Sequence, residues 1–340
     1  VLKELAPAVN KILDTRLIDY THYVGGVSIG AIIAAGLTLC DSNGNYRYST
    51  EDLIAKIDPA KFIKKTPWWN WKTKFEQSFL EKGLKDVFAR EDGTDGTFSD
   101  IKKAKILIPS YNIEENKQTI FTNFMSKCEC DDLDLFQRYV DVDSSQTKVA
   151  DAAVASSSAQ LAFPAKKISY TLMSGEKIKD TYEIDAGNIR NTPLFEAIST
   201  LVISKDIELK DLVVVSIGSG NADFDMSDLK NGSIWSYIKN LFGFGKDNFV
   251  SSSILCQTGS IKDIVADIIT DASPWEKCFF NLNVDLDPEL HSASLDPESI
   301  PLYQKAARET YKEGTAGYKA LEELAEYLIS LESEAIEACA

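Results

Sequence analysis

The chain is 340 residues long, 44% hydrophobic, and carries a formal net charge of -16 at pH 7. That length and apolar content suit one large α/β domain, or two smaller ones, with a sizeable buried core. The acidity excludes nucleic acid as a main partner, because a phosphate backbone would be repelled across most of the surface, and attraction to a membrane has to come from a local basic patch.

The chain opens in helical register, with Leu2, Leu5, Val9, Ile12 and Leu13 on one face of an expected helix over 1–15. An extended run ends at Val27, and a small-residue helix follows from Ile29 to about Cys40. Ser49-Thr50-Glu51-Asp52 reads as a helix start, with hydroxyls ahead of acids. "KILIPSY" (105–111) and "TIFTNF" (119–124) read as strands separated by a polar turn. "VADAAVASSSAQLAF" (149–163) is a small-residue helix stopped by Pro164, and "ISYTLM" and "TYEIDAG" form a hairpin around Ser174-Gly175. Thr192-Pro193 opens a further helix, the hydroxyl as cap and the proline at the first helical position.

"DLVVVSIGSG" (211–220) is a buried strand breaking into a glycine loop. From Pro297 the chain is helical, with Leu321, Leu324, Ala325 and Leu328 as an apolar stripe opposite an acidic face. Strands alternating with helices predict a mostly parallel central sheet covered on both sides, an α/β three-layer sandwich. No long linker interrupts the chain, so a single domain over 1–340 is expected, its part from 297 to 340 helical.

No apolar run reaches the roughly 18 to 20 residues that span a bilayer, and no charged-then-apolar leader directs secretion. The six cysteines are scattered, and Cys128 and Cys130 lack the nearby histidines of a zinc site. Reduced thiols in a cytoplasmic protein are expected, with no metal and no cofactor.

The chemistry is concentrated in "YVGGVSIGAIIAAG" (23–36), where Gly26 and Gly30 flank Ser28 as Gly-x-Ser-x-Gly. A nucleophile on a strand-to-helix turn needs small neighbours two residues before and after it. The helix that follows turns its positive end toward the hydroxyl, and the backbone N–H of Ile29 is the expected oxyanion donor. The base is the open question. His22 lies on the incoming strand, too close in sequence to fold back onto Ser28, and reads as structural. His291, in "DPELHSASLDP", lies downstream in the chain order of an α/β-hydrolase triad. The other candidate is Asp185 in "YEIDAGNIRNTPLFEA" (182–197), which follows a strand and precedes two small residues.

Gly-Gly-x-Ser-x-Gly-Ala after a short strand, then Asp-small-Gly, then Asn-x-Pro opening a helix, resembles the patatin-like acyl hydrolases. "AVASSSAQLAFPA", "VVVSIGSG" and "LIPSYNIEENKQTIF" are similar to further segments of that family in the same order, so the likeness spans roughly residues 1 to 310. The resemblance implies a Ser–Asp dyad without histidine: Ser28 as nucleophile and Asp185 as the base, supported by Gly187 and Asn191. It implies a lipid acyl hydrolase of phospholipase A type acting through an acyl-serine. The chain departs from the family pattern at Ala186 and Thr192, where a glycine and an asparagine are usual. The family's glycine-rich oxyanion loop precedes a helix like "VLKELA", and is expected ahead of Val1. Two rivals remain: a lipid-binding or storage protein with little turnover, and an esterase using His291.

"KFIKKTPWWNWKTKF" (61–75) carries five lysines, three tryptophans and two phenylalanines without an acid. Tryptophan favours the headgroup region and lysine is drawn to anionic lipid. Lys64, Lys65, Trp68, Trp69 and Trp71 are therefore the expected contact with a phospholipid surface, which would make the protein peripherally membrane-bound. The alternative is that the tryptophans fill a lid or core with lysines at its rim.

Overall fold

The computed structural model describes residues 17–339 apart from 58, 67–72, 125–138, 141, 161, 189–190, 204–206, 222–248, 275–276, 288–289 and 291–298. The helix expected over 1–15, Trp68, Trp69, Trp71 and His291 lie outside the described residues. The chain divides into two units, Tyr20–Ile207 and Glu208–Ala340 with Val1–Asp19.

With single-turn helices left unlabelled, the first unit runs β1 (Tyr23–Gly25), α1 (Ile29–Thr38), α2 (Thr50–Lys56), α3 (Gln77–Phe88), β2 (Lys105–Asn112) and β3 (Lys117–Thr122). It continues with β4 (Tyr139–Val140), β5 (Val142–Asp143), α4 (Val149–Ser157), β6 (Lys166–Leu172), β7 (Lys177–Asp185) and α5 (Leu194–Ile203). The predicted start at Ser49 is a capping box: its hydroxyl accepts from the Asp52 N–H, and Asp52 accepts from the Ser49 N–H. The hairpin predicted around Ser174-Gly175 joins β6 and β7, with Gly175 at φ 87.

The seven strands form one sheet in the order β4-β3-β2-β7-β6-β5, with β1 also on β2. It is a mixed sheet, which corrects the mostly parallel one expected. β1–β2 and β3–β4 are parallel, whereas β2–β3, β2–β7, β5–β6 and β6–β7 are antiparallel. The physical reason is local. β2–β3 and β6–β7 are joined by tight turns, and only antiparallel neighbours can be linked that way.

One pairing decides the rest. β3 occupies one edge of β2, so β1 and β7 share the other. β1 runs parallel to β2 and ends with Gly25 opposite Leu107, while β7 runs antiparallel and ends with Asp185 opposite Ser110. Two strands thus approach head to head and stop beside Ile108 and Pro109. Proline has no N–H to leave unpaired at that break.

α4 packs on β2, β6 and β7, and α1 on β1, β2 and α4. Ala150, Ala152, Ala153 and Ala155 of α4 and Ala31, Ala34 and Ala35 of α1 are buried, and such small side chains allow close helix approach. Phe75, Phe88, Phe98, Phe121, Ile106 and Ile108 fill the core beside them.

In the second unit, β8 (Val214–Ile217) pairs in parallel with β9 (Phe279–Leu282), and α6 (Phe249–Ala272) lies between them in sequence. Helices α7 (Ile300–Thr310) and α8 (Ala316–Cys339) follow. Leu321, Leu324 and Ala325 of the predicted stripe are buried with Phe280, Leu282, Tyr311 and Tyr318, and Leu328 packs against that cluster. Among the described residues, no helix is long and apolar enough to cross a membrane.

Candidate active site

Gly26 continues β1 by donating its N–H to the Leu107 carbonyl at 3.1 Å. The chain then reverses within two residues and enters α1 at Ile29. A Cβ at Gly26 would lie 2.1 Å from the Gly30 carbonyl oxygen, so no other residue fits there. Gly30 is different, since a Cβ at that position meets nothing within 4 Å. The two glycines of the motif are therefore not equivalent: Gly26 is a steric necessity and Gly30 leaves open space beside the serine.

Ser28, at the turn, has φ 56 and ψ -126. Positive φ at a residue with a Cβ is strained, by about 1–3 kcal/mol. The other two non-glycine residues with positive φ among those described are Asn116 and Asp180, types that tolerate the left-handed region. Ile29 is half exposed and is the first residue of α1, so its N–H has no intrahelical acceptor.

Asp185 ends β7, 4% exposed. Its Oδ1 accepts a hydrogen bond from the Gly187 N–H at 2.7 Å, and the Ser28 side chain interacts with the same carboxyl group. Burial pushes its pKa up to about 6, against the Ser28 side chain and the Gly187 N–H, which hold it down. Gly187 lies so close that a Cβ there would come 2.9 Å from the Asp185 Oδ1 and 3.1 Å from the Asn191 Oδ1. Asn191 is thus brought to the same loop. The methyl group of Ala186 is fully buried. Thr192 accepts from the Leu194 N–H at the start of α5, at 3.4 Å, and the Pro193 ring lies against Gly25.

Both ends of the pair are held by α4. The Ser156 hydroxyl accepts from the Ser28 N–H at 3.1 Å and donates to the Pro109 carbonyl at 2.7 Å. The Ser157 hydroxyl donates to the Ser28 carbonyl at 2.9 Å. The Ser158 carbonyl accepts from the Asp185 N–H at 3.1 Å. Each such bond contributes about 0.5–1.5 kcal/mol, enough together to offset the strain at Ser28. These serines were missed in the sequence, although three consecutive hydroxyls closing a helix of alanines are a visible signal.

Two positions before Asp185, and on the same face of β7, Glu183 is fully buried. It accepts from Ser110 at 2.7 Å, Thr119 at 2.8 Å, Asn112 at 3.0 Å and Tyr170 at 3.3 Å. Desolvation still raises its pKa to about 6. Among the described residues, no group of three or more His, Cys, Asp or Glu side chains comes together that could hold a metal ion.

Lys64 and Lys65 are exposed. Lys64 pairs with Glu76 at 3.3 Å and covers the Phe79 ring at 4.5 Å. Backbone bonds from Thr66 to Lys74 and from Glu76 to Lys64 make a short antiparallel ladder that brackets residues 67–72. Its base joins the end of α4: the Phe75 N–H donates to the Ala162 carbonyl, and Gln77 Nε2 donates to the Ser158 hydroxyl and the Pro164 carbonyl. His22 is exposed, and its carbonyl accepts from the Lys105 N–H.

A strained serine at a strand–helix turn thus meets a buried aspartate. A sequence model of the patatin-like phospholipases matches residues 1–198. The chain belongs to the patatin-like phospholipase family. Patatin-like protein 3 of Arabidopsis thaliana is 25% identical over 323 residues, covering 84% of this chain and 69% of that protein. The cGAMP-activated phospholipase of Escherichia coli (strain TW11681) is 26% identical over 243 residues, 68% of this chain and 60% of the other. Patatin-like protein 1 of Arabidopsis thaliana is 25% identical over 262 residues, 68% of this chain. This patatin-like chain spans 57% of that last relative's length, and so less than two thirds of two of the three.

Proposed function

We propose that this patatin-like chain is a lipid acyl hydrolase of phospholipase A type, a serine hydrolase that cleaves phospholipid acyl esters through a Ser28–Asp185 dyad. The observation that carries the proposal is the convergence of Ser28, at φ 56, and a buried Asp185 at the facing ends of β1 and β7, their backbones bonded to the consecutive serines 156–158. As the Ser28 oxygen attacks the ester carbonyl, its proton passes to the Asp185 carboxylate. The tetrahedral oxyanion faces the Ile29 N–H and the positive end of α1. Collapse breaks the ester C–O bond, and the proton on Asp185 goes to the departing lysophospholipid oxygen, leaving acyl-Ser28. Water then gives a proton to Asp185 as it attacks the acyl carbon. Collapse of the second tetrahedral intermediate breaks the bond to Ser28, whose oxygen takes that proton back from Asp185, releasing the fatty acid and restoring the serine.

Burial supports this role. A carboxylate poised at about 6 is a better base than an exposed one, while still ionised at neutral pH. No imidazole enters the scheme, so His291→Ala is expected to retain activity. The whole span 1–340 is proposed to act as one cytoplasmic acyl hydrolase domain. The strip around Lys64, Lys65, Trp68, Trp69 and Trp71 is proposed to meet the phospholipid surface.

The test is hydrolysis of a fluorogenic phospholipid by wild type, Ser28→Ala, Asp185→Ala and His291→Ala. Loss of turnover in the first two variants alone is expected. Turnover that survives Ser28→Ala overturns the assignment, and loss in His291→Ala moves it to a histidine triad.

A further inference from the structure

We propose that Ser156 and Ser157 are positioning residues that hold Ser28 in its strained conformation and, with the Ser158 carbonyl, set the geometry between Ser28 and Asp185. The inference rests on the dyad reading above. Its ground is the convergence of three successive residues on one turn. Ser156 takes the Ser28 N–H, Ser157 gives to the Ser28 carbonyl, and Ser158 takes the Asp185 N–H. Both peptide groups that flank the Ser28 Cα are thereby fixed, which is what a residue at φ 56 and ψ -126 requires to stay there.

The orientation of the first clamp is itself determined. The Ser156 hydroxyl is fully buried and its proton is committed to the Pro109 carbonyl at 2.7 Å, so a lone pair must face the Ser28 N–H. Pro109 lies beside the break between β1 and β7, so Ser156 ties the elbow to the strand that aligns both dyad partners. The helix carrying these serines cannot easily shift. Asp151 at its first turn pairs at 2.9 Å with Lys166, a buried lysine that also pairs with Glu81 of α3. At its far end Ser158 donates to the Val154 carbonyl and accepts from Gln77. A helix fixed at both ends can place one residue relative to another that is distant in sequence.

Removing either hydroxyl lets the Ser28 backbone relax and swings its side chain away from Asp185. Misplacement of a reacting atom by about 1 Å costs of the order of 10²-fold in rate. It also takes away the Ser28 side chain's share in holding the Asp185 pKa down, so the acidic limb of the rate profile moves to higher pH. A purely structural role would lower the folded fraction and leave that limb in place.

The experiment is fluorophosphonate labelling of Ser28 and hydrolysis of a fluorogenic phospholipid across pH 5 to 9, by wild type, Ser28→Ala, Ser156→Ala and Ser157→Ala. Rates are normalised to the folded fraction from near-ultraviolet circular dichroism. The expected result for each of the two α4 variants is a kcat lowered by roughly 10- to 100-fold, a KM near wild type, and an acidic limb at higher pH. If Ser156→Ala does not fold, Ser157→Ala alone carries the same expectation. Wild-type labelling rates and an unmoved limb in the folded variants overturn the positioning role and leave the dyad intact. Labelling or turnover in Ser28→Ala overturns the dyad instead.

Discussion

Ser28 and Asp185 come together where β1 and β7, running toward each other along one edge of β2, both stop. The two residues are far apart in sequence, and neither strand pairs with the other. Their meeting is made by β2, which pairs with both. The ends of the two strands carry the two members of the proposed dyad: a turn that carries a hydroxyl and a strand end that buries a carboxylate.

With Asp185 as the proposed base, its pKa of about 6 sets the expected pH profile. Asp185 must be ionised to take the Ser28 proton, so kcat/KM for a fluorogenic phospholipid should rise tenfold per unit below pH 6 and level off above about 7. A profile already flat at pH 5 would mean that Asp185 does not act as the base. Asp185→Asn should remove the ascending limb together with nearly all turnover.

The same burial predicts a stability gain from losing the charge. The folded pKa of Asp185 lies above its ordinary value of 3.8, so between about pH 4 and 6 the folded chain holds a proton that the unfolded chain has released. The contribution to stability is fully present below about pH 4 and is lost as the pH rises through 6. At pH 8 the carboxylate is ionised in both states and its burial is a net cost. Asp185→Asn keeps an acceptor for the Gly187 N–H and carries no charge. It should raise the unfolding free energy at pH 8 by of the order of 2 kcal/mol, with little change at pH 4. Urea midpoints at the two pH values decide it; an equal shift at both would place the effect elsewhere.

Gly26 and Gly30 should respond oppositely to alanine. At Gly26 the added methyl meets a backbone carbonyl at 2.1 Å and cannot be relieved by a side-chain rotation, so Gly26→Ala should cost of the order of 3 kcal/mol or more. At Gly30 nothing lies within 4 Å and the residue is helical, so Gly30→Ala should stabilise by up to about 1 kcal/mol. Thermal unfolding of the two variants beside wild type reads the difference. Equal losses would contradict the open space at Gly30.

What was legible follows the range of the interactions. The turn at Ser28 and the cap at Ser49 are specified within four or five residues, and both stand where the sequence puts them. The α8 stripe of Leu321, Leu324 and Ala325 is a helical period and is buried as expected. Asp185 stood out only through the order of several motifs, because a single aspartate before two small residues is also a plain turn. The direction of the sheet was misread because the placement of β1 and β7 on one edge of β2 depends on contacts distant in sequence. Ser156 and Ser157 stayed hidden for a related reason: a hydroxyl near a helix end reads as a local cap, and nothing nearby says that its partner is Ser28.

The basic strip provides the last prediction. Lys64 and Lys65 are exposed on the ladder that brackets Trp68, Trp69 and Trp71, and that ladder is bonded to the turn after α4. In a chain with a net charge of -16, binding to anionic vesicles has to act through such a local patch. Each lysine near the surface is worth about 1 kcal/mol, and the attraction fades within a Debye length as salt is added. Cosedimentation with phosphatidylserine-containing vesicles should therefore exceed that with neutral ones and fall between 0.05 and 0.5 M salt. Lys64→Glu with Lys65→Glu should weaken it by roughly tenfold or more, and alanine at the three tryptophans should weaken binding to both kinds of vesicle. Folded variants that bind like wild type would assign the tryptophans to a protein interior instead.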